Sequence, residues 1–175
     1  MKIIPLSEGS FTIDVTKKFI PFNVATDNLQ QRPVGSLLVE IQPFAVITSK
    51  DIIVIDTGLG FTMPDGTLQI HQNLLTNGIG PMEVTKVLLS HLHKDHSNEI
   101  EFAFQKGGPS YQVADFEGLQ NTDQIVLLKG DGKIDDYITY QITGAHSKYH
   151  QVFWIEEDGH KIFFGGDVAP QLHQM

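Results

Sequence analysis

The apolar residues of the chain are grouped into short runs separated by turn-forming residues, a pattern typical of a strand-rich protein. The run Ile52–Ile55 is apolar at every position, which predicts a strand covered on both faces. The run Val87–Ser90 has the same character and leads directly into His91. Further strands are predicted at Ser36–Ile47, Ser110–Ala114, Ile125–Leu128, Ile138–Thr143, Val152–Ile155 and Lys161–Phe164.

Two stretches have helical rather than strand periodicity. In Thr67–Asn77 the apolar positions recur at helical spacing, and Asn77-Gly78 supplies a stop signal. Glu99–Lys106 is a shorter helical candidate. Helices between buried strands, together with a hairpin turn predicted at Glu156–Gly159, indicate an α/β fold with mixed sheets.

Composition and charge limit the classes of function. The 175 residues are 41% hydrophobic and 19% charged, which predicts one globular domain over residues 1–175. The formal net charge of -9 disfavours nucleic acid as a partner, because an acidic surface repels polyanions at long range. Since there is no cysteine, thiolate metal sites and cysteine nucleophiles are excluded. We expect a cytoplasmic protein with a small-molecule substrate and no membrane partner, and the sequence indicates no oligomeric state.

Three histidines and one aspartate lie within six residues, directly after the strand at Val87–Ser90. The side chains of His91, His93, Asp95 and His96 are good ligands for zinc, iron or manganese. Because alternate residues of a loop can turn toward a common centre, His91 and His93 could share one metal ion while Asp95 and His96 face a neighbouring position. A solvated loop rich in histidine is the alternative, but four potential ligands at this spacing favour a metal site.

The segment Leu88–Glu99 resembles the HxHxDH signature of the metallo-β-lactamase fold superfamily, whose members are metal-dependent hydrolases. Three further segments are similar to the other motifs of that family, in the same order. Ile52–Gly58 is a strand ending in Asp-Thr-Gly, Thr143–Ser147 is a Gly-rich turn with one histidine, and Phe163–Asp167 is a strand ending in Gly-Asp. The resemblance covers most of the chain and implies a four-layer αββα sandwich with the site at one edge. One fold hosts many chemistries, so the function must be argued from the site.

The resemblance also implies a role for each matching residue. It implies that His91, His93 and His146 bind a first metal. Asp95 and His96 would bind a second metal, and Asp167 would bridge the two. Asp56 would fix the histidine loop by hydrogen bonds without binding metal. His150, the other histidine of the third motif, is expected to line the pocket or to support a ligand.

The chain ends eight residues after Asp167, whereas the family takes a last histidine for the second metal from a motif well beyond the Gly-Asp. His173 follows too soon to be that motif. The expected sandwich is therefore C-terminally incomplete. Either the chain is a fragment of a longer protein, which we favour, or it holds one metal firmly and a second weakly. One or two zinc ions per chain are expected, with manganese and iron as alternatives.

The expected function is hydrolysis by a metal-bound hydroxide, since no serine, threonine or lysine lies in a recognisable nucleophile motif. A zinc-type cation lowers the pKa of bound water to about 7, so hydroxide is available at neutral pH. Asp95 or Asp167 would pass a proton to the leaving group, and the sequence does not distinguish between them.

The expected substrate is a small ester-like molecule, a lactone or a thioester. The acidic net charge favours it, and so does the apolar segment Leu59–Pro64, which could form a substrate lip or equally an ordinary loop–core contact. The spacing of the signature also resembles the lactonase branch of the superfamily more than its nuclease branch. Phosphodiester hydrolysis is one alternative, and an iron-binding redox protein of the same fold without hydrolytic turnover is another.

Overall fold

The computed structural model describes residues 1–93 and 122–168. In these ranges the chain forms one α-helix, α1 (Gln69–Thr76), and eleven strands. The strands are β1 (Lys2–Pro5), β2 (Gly9–Ile13), β3 (Phe19–Pro21), β4 (Leu37–Ile41), β5 (Phe44–Ile47), β6 (Ile52–Ile55), β7 (Lys86–Leu88), β8 (Gly132–Ile134), β9 (Ile138–Ile142), β10 (Gln151–Glu157) and β11 (His160–Phe164). Among the described residues no helix is both long enough and apolar enough to cross a bilayer.

The strands are arranged in three sheets. The first has the order β1-β5-β6-β7, and β6 runs parallel to β7 while its other pairs are antiparallel. The second, β11-β10-β9-β8, is antiparallel throughout. A smaller third sheet has the order β3-β2-β4.

The two four-stranded sheets pack face to face. Ile53, Ile55 and Leu88 of the first sheet share a buried cluster with Ile138 and Phe153 of the second. The opposite face of the first sheet is covered by α1, whose apolar side chains pack in a second cluster with Val54 of β6. Strand β6 is therefore buried on both faces, as predicted, and the described residues form a helix–sheet–sheet series of layers.

Most of the predicted elements are confirmed, and two are wrong. Ser36–Ile47 is not one strand but two, β4 and β5, which belong to different sheets. Pro43 lies between them, and proline has no N–H for a ladder. Ile125–Leu128 forms no strand, and the nearby ladder forms at β8 instead; its Val126 is 78% exposed. Strands β1 to β3 were not predicted. The candidates Glu99–Lys106 and Ser110–Ala114 lie outside the described residues.

The four motif segments follow strands that end at the same edge of the two facing sheets. Ile55 pairs with Leu88 in the parallel ladder, so β6 and β7 end side by side. In the second sheet β9 and β11 both end beside the start of β10. The backbone N–H of Gln151 donates to the carbonyl of Ser90 at 2.7 Å, which joins the two sheets at this edge.

Candidate metal centre

Three imidazole rings converge at this edge. Nδ1 of His93 lies 3.2 Å from Nε2 of His91 and 3.0 Å from Nε2 of His146. Each pair of ring centroids is 4.8 Å apart, and the candidate ligand nitrogens all lie within 4.8 Å of one another. Three nitrogen donors that face one point form a ligand set that suits zinc, iron or manganese.

The loops at the strand ends determine where these rings lie. His91 and His93 follow β7, with Leu92 between them, so their side chains leave the loop on the same side. His146 lies in the loop between β9 and β10, which is closed by the N–H of Thr143 donating to the carbonyl of His150 at 2.8 Å. The chain turns at Gly144 of this loop, whose φ is 60°. A Cβ at that position would lie 3.2 Å from the carbonyl oxygen of Lys148, so glycine fits the turn best.

Asp56 and Ser90 hold the start of the histidine loop. Asp56 is buried and has a φ of 58°, a left-handed conformation that aspartate tolerates better than most residues. Its Oδ1 accepts from the backbone N–H of Ser90 and its Oδ2 from the Ser90 hydroxyl, both at 2.8 Å. The Ser90 Oγ in turn lies 3.1 Å from Nδ1 of His91. Ser90 was missed by the sequence analysis, although its place directly before His91 is a signal that could have identified it.

Asp167 lies beside the three histidines. Its Oδ2 is 3.5 Å from Nε2 of His146. His150 is fully buried and supports Asp167, because its Nε2 accepts from the Asp167 backbone N–H at 3.1 Å. A Cβ at Gly166 would lie 2.8 Å from both His150 Nε2 and Ser90 Oγ. The chain therefore passes very close to these two side chains before it reaches Asp167.

Solved structures that share this architecture are metal-dependent hydrolases. A probable metal-dependent hydrolase from Staphylococcus aureus has a TM-score of 0.64 at 17% identity, over 95% of this chain and 72% of its own. AidC, a dizinc quorum-quenching lactonase in complex with the product N-hexanoyl-L-homoserine, has a TM-score of 0.61 at 16% identity, over 94% and 70% of the two chains. AbOPH, a hydrolase in the β-lactamase superfamily, has a TM-score of 0.62 at 19% identity, over 94% and 70%.

The chain has the metallo-β-lactamase fold. The fold class predicted from the four motifs is thereby confirmed. No family model and no curated protein sequence matches the chain.

The metallo-β-lactamase fold places four of the six predicted metal-site residues together. They are His91, His93, His146 and Asp167. Asp95 and His96 lie outside the described residues, and the metal-binding role of all six residues stays a prediction. The same holds for the choice between Asp95 and Asp167 as proton donor.

The apolar segment after Asp56 borders a cavity and also contacts a buried side chain. The ring of Phe61 packs against that of Phe11 with centroids 5.4 Å apart, and Phe61 is 38% exposed. The cavity is about 590 Å³ in volume, and Phe11, Phe22, Phe61 and Glu8 are among its lining residues. Glu8 is itself buried, and its Oε2 accepts from the backbone N–H of Leu59 at 2.7 Å. Burial raises the pKa of the Glu8 carboxyl above its usual range, although the Leu59 hydrogen bond opposes this.

Proposed function

We propose that the chain is a metal-dependent hydrolase acting on a small ester-like substrate, with lactones as the first class. The observation that carries this proposal is the convergence of the His91, His93 and His146 imidazoles beside the Asp167 carboxylate. Zinc is the expected ion, and these nitrogen and oxygen ligands would also bind manganese or iron. The proposal treats residues 1–175 as a single domain. A divalent cation at this point would activate water near neutral pH and polarise the oxygen of a carbonyl.

The residues around the histidines would orient the reaction. Asp167 is the nearest described carboxylate, so it is a candidate both for a metal bridge and for holding the proton that the leaving group receives. His150 would keep Asp167 in place through its backbone N–H. The predicted partner roles of Asp95 and His96 belong to the same proposal.

Three observations support an ester-like substrate. AidC, a structural neighbour, is a lactonase in complex with a product that carries an acyl chain. The cavity beside Phe11 and Phe61 offers an apolar surface next to the loop that leaves Asp56, where the hydrophobic part of such a substrate would lie. The net charge of -9 would repel a phosphodiester at long range, which makes that class the less favourable alternative.

The test begins with protein purified without added metal. Metal analysis should find zinc, at one equivalent per chain or more. After zinc or manganese is restored, the protein should hydrolyse members of a lactone panel, and His93→Ala should abolish that activity because it removes the nitrogen closest to both other histidines. His160→Ala is the matched control, since this exposed histidine at the start of β11 should leave turnover unchanged.

Two results would contradict the proposal. One is an absence of turnover on lactones, thioesters and phosphodiesters alike in protein that holds its metal. The other is iron-loaded protein whose iron changes oxidation state while no substrate of these classes is hydrolysed, which would favour a redox protein of this fold without hydrolytic turnover.

A further inference from the structure

Three buried polar groups lie in series behind the metal centre. Asp56, Ser90 and His91 are 3%, 0% and 2% exposed. The Asp56 carboxylate is 2.8 Å from the Ser90 hydroxyl, which is 3.1 Å from Nδ1 of His91. Because these contacts are buried, water competes little for them, and the available hydrogens determine which group donates.

The hydrogens of this series can be assigned by counting donors. A carboxylate only accepts, and Asp56 accepts from the backbone N–H of Ser90 at Oδ1 and from its hydroxyl at Oδ2. A hydroxyl has one hydrogen, so the Ser90 Oγ that donates to Asp56 can only accept from His91. The reverse arrangement, with the hydroxyl donating to His91, would leave lone pairs of two oxygens facing each other at 2.8 Å.

We propose that Ser90 is a positioning residue that, oriented by Asp56, keeps the hydrogen of the His91 ring on Nδ1. The lone pair on Nε2 of His91 then points toward Nδ1 of His93, 3.2 Å away. A cation would be held beside these two nitrogens. Metal-bound histidines commonly donate their other ring N–H to a carboxylate or carbonyl. Here the acceptor of the His91 N–H would be the Ser90 hydroxyl, which itself donates to the Asp56 carboxylate. This inference rests on the proposed metal site but not on the proposed hydrolytic reaction.

The surroundings of Ser90 fix its hydroxyl in this direction. Its backbone N–H is held by Asp56, and its carbonyl accepts from Gln151 of the second sheet at 2.7 Å. On another side the chain approaches so closely at Gly166 that a Cβ there would lie 2.8 Å from the Ser90 Oγ. Ser90 is therefore anchored at both of its peptide groups, with little room for a second orientation of the side chain.

The experiment reads the tautomer directly, in metal-free protein labelled with ¹⁵N at histidine. Long-range ¹H–¹⁵N correlation spectra should place the His91 hydrogen on Nδ1 in the wild-type chain. In Asp56→Asn the new amide donates to the Ser90 Oγ, so the hydroxyl hydrogen turns to His91 and the ring hydrogen should move to Nε2. Ser90→Ala should lose the tautomer preference. Both variants should bind zinc about 10- to 100-fold more weakly in chelator competition, the range for partners of metal-bound histidines.

A matched control lies at the other end of β6. The Thr85 hydroxyl donates to the Asp51 carboxylate at 2.7 Å, so Thr85→Val removes the same kind of bond without approaching the histidines. Thr85→Val should leave the His91 spectrum and the zinc affinity unchanged, because the Thr85 hydroxyl has only a structural role.

The results separate this inference from the proposed function. A wild-type His91 hydrogen on Nε2, an unmoved hydrogen in Asp56→Asn, or wild-type zinc affinity in Ser90→Ala would each overturn the role of Ser90. Asp56→Asn is nearly isosteric and tests the same series if Ser90→Ala does not fold. A hydrogen on Nδ1 that moves in Asp56→Asn, in a chain that binds no zinc, would support the tautomer assignment and contradict the metal site.

Discussion

Strand β6 carries an aspartate at each end, and the two have different surroundings. Asp51 precedes the strand and Asp56 follows it, about 16 Å apart along an extended chain. Asp51 accepts from the Lys86 ammonium at 2.6 Å, from the Thr85 hydroxyl at 2.7 Å and from the Tyr137 hydroxyl. Asp56 accepts instead from Ser90, which contacts His91.

The difference shows how one residue type serves the fold at one edge and the site at the other. Burial opposes ionisation of Asp51, yet its hydrogen bonds from Lys86, Tyr137 and Thr85 lower its pKa to about 2. Burial and the bond to Asp51 raise the pKa of Tyr137 to about 12. The charge of Asp51 is thus matched by an ammonium within a network that joins the two facing sheets. The hydrogen bonds of Asp56 are directed along the loop that carries the histidines.

The largest effect is expected where the chain passes closest to Ser90. Gly166→Ala should lower the free energy of unfolding by about 2–4 kcal/mol, from positive-φ strain and overpacking together. The new Cβ would meet Ser90 Oγ and His150 Nε2 at 2.8 Å, at a φ of 50°. Urea denaturation measures the loss, and chelator competition should show weaker zinc binding because both neighbours support the site.

Gly159→Ala is the control for the backbone term alone. Gly159 has a φ of 76° in the turn between β10 and β11, but a Cβ there would meet nothing within 4 Å. It should lose roughly 1–2 kcal/mol and keep the zinc affinity of the wild type. Equal losses in the two variants would mean that the close approach to Ser90 does not matter.

At the opposite edge, Asp51→Asn should lower the free energy of unfolding by about 1–3 kcal/mol at neutral pH, because Lys86 loses a charged hydrogen-bond partner. The folded pKa of Asp51 is about 2, below the ordinary 3.8, so its contribution is present above pH 3.8 and lost as the pH falls toward 2. The stability difference between wild type and variant should therefore shrink over that interval in urea titrations. Zinc affinity should not change, and a fall as large as that of Asp56→Asn would contradict the division of roles between the two edges.

The fold class could be predicted from the sequence, whereas the division of the strands among the sheets could not. The four motifs resemble those of the metallo-β-lactamase family, and that resemblance implied the grouping of His91, His93 and His146. The structure brings these three side chains together, and their role as ligands stays a prediction. The strand β6 and the helix α1 were also predictable, because a fully apolar run and a helical period reflect burial on known faces. The strand prediction for Ile125–Leu128 was wrong because an apolar run does not reveal whether a neighbouring strand is available to pair with it.

The supporting residues could not be predicted for a related reason. Ser90 depends on Asp56, which lies 34 positions earlier, and Glu8 depends on Leu59, which lies 51 positions later. Hydrophobic periodicity describes which face of an element is buried, whereas these partners follow from the order of strands within sheets. The network of Asp51, Lys86 and Tyr137 could not be predicted from the sequence for the same reason, because its members are far apart along the chain.

The smallest effect is expected at a third acid, Glu8, which lies beneath the turn that follows Asp56. Its Oε1 has no hydrogen-bond partner among the described residues, unlike the oxygens of Asp51. Since burial raises the folded pKa above 4.5, the contribution of Glu8 is most favourable below pH 4.5 and is lost as the pH rises through the folded value.

Glu8→Gln keeps an acceptor for Leu59 without the charge, so it should be more stable than wild type by about 1 kcal/mol at neutral pH, with the difference shrinking toward pH 4. Glu40→Gln removes an exposed charge that is bonded to the neighbouring Ser7 and should change stability by less than about 0.5 kcal/mol. A Glu8→Gln protein less stable than wild type at neutral pH would mean that this carboxylate is held by a compensating charge, as Asp51 is.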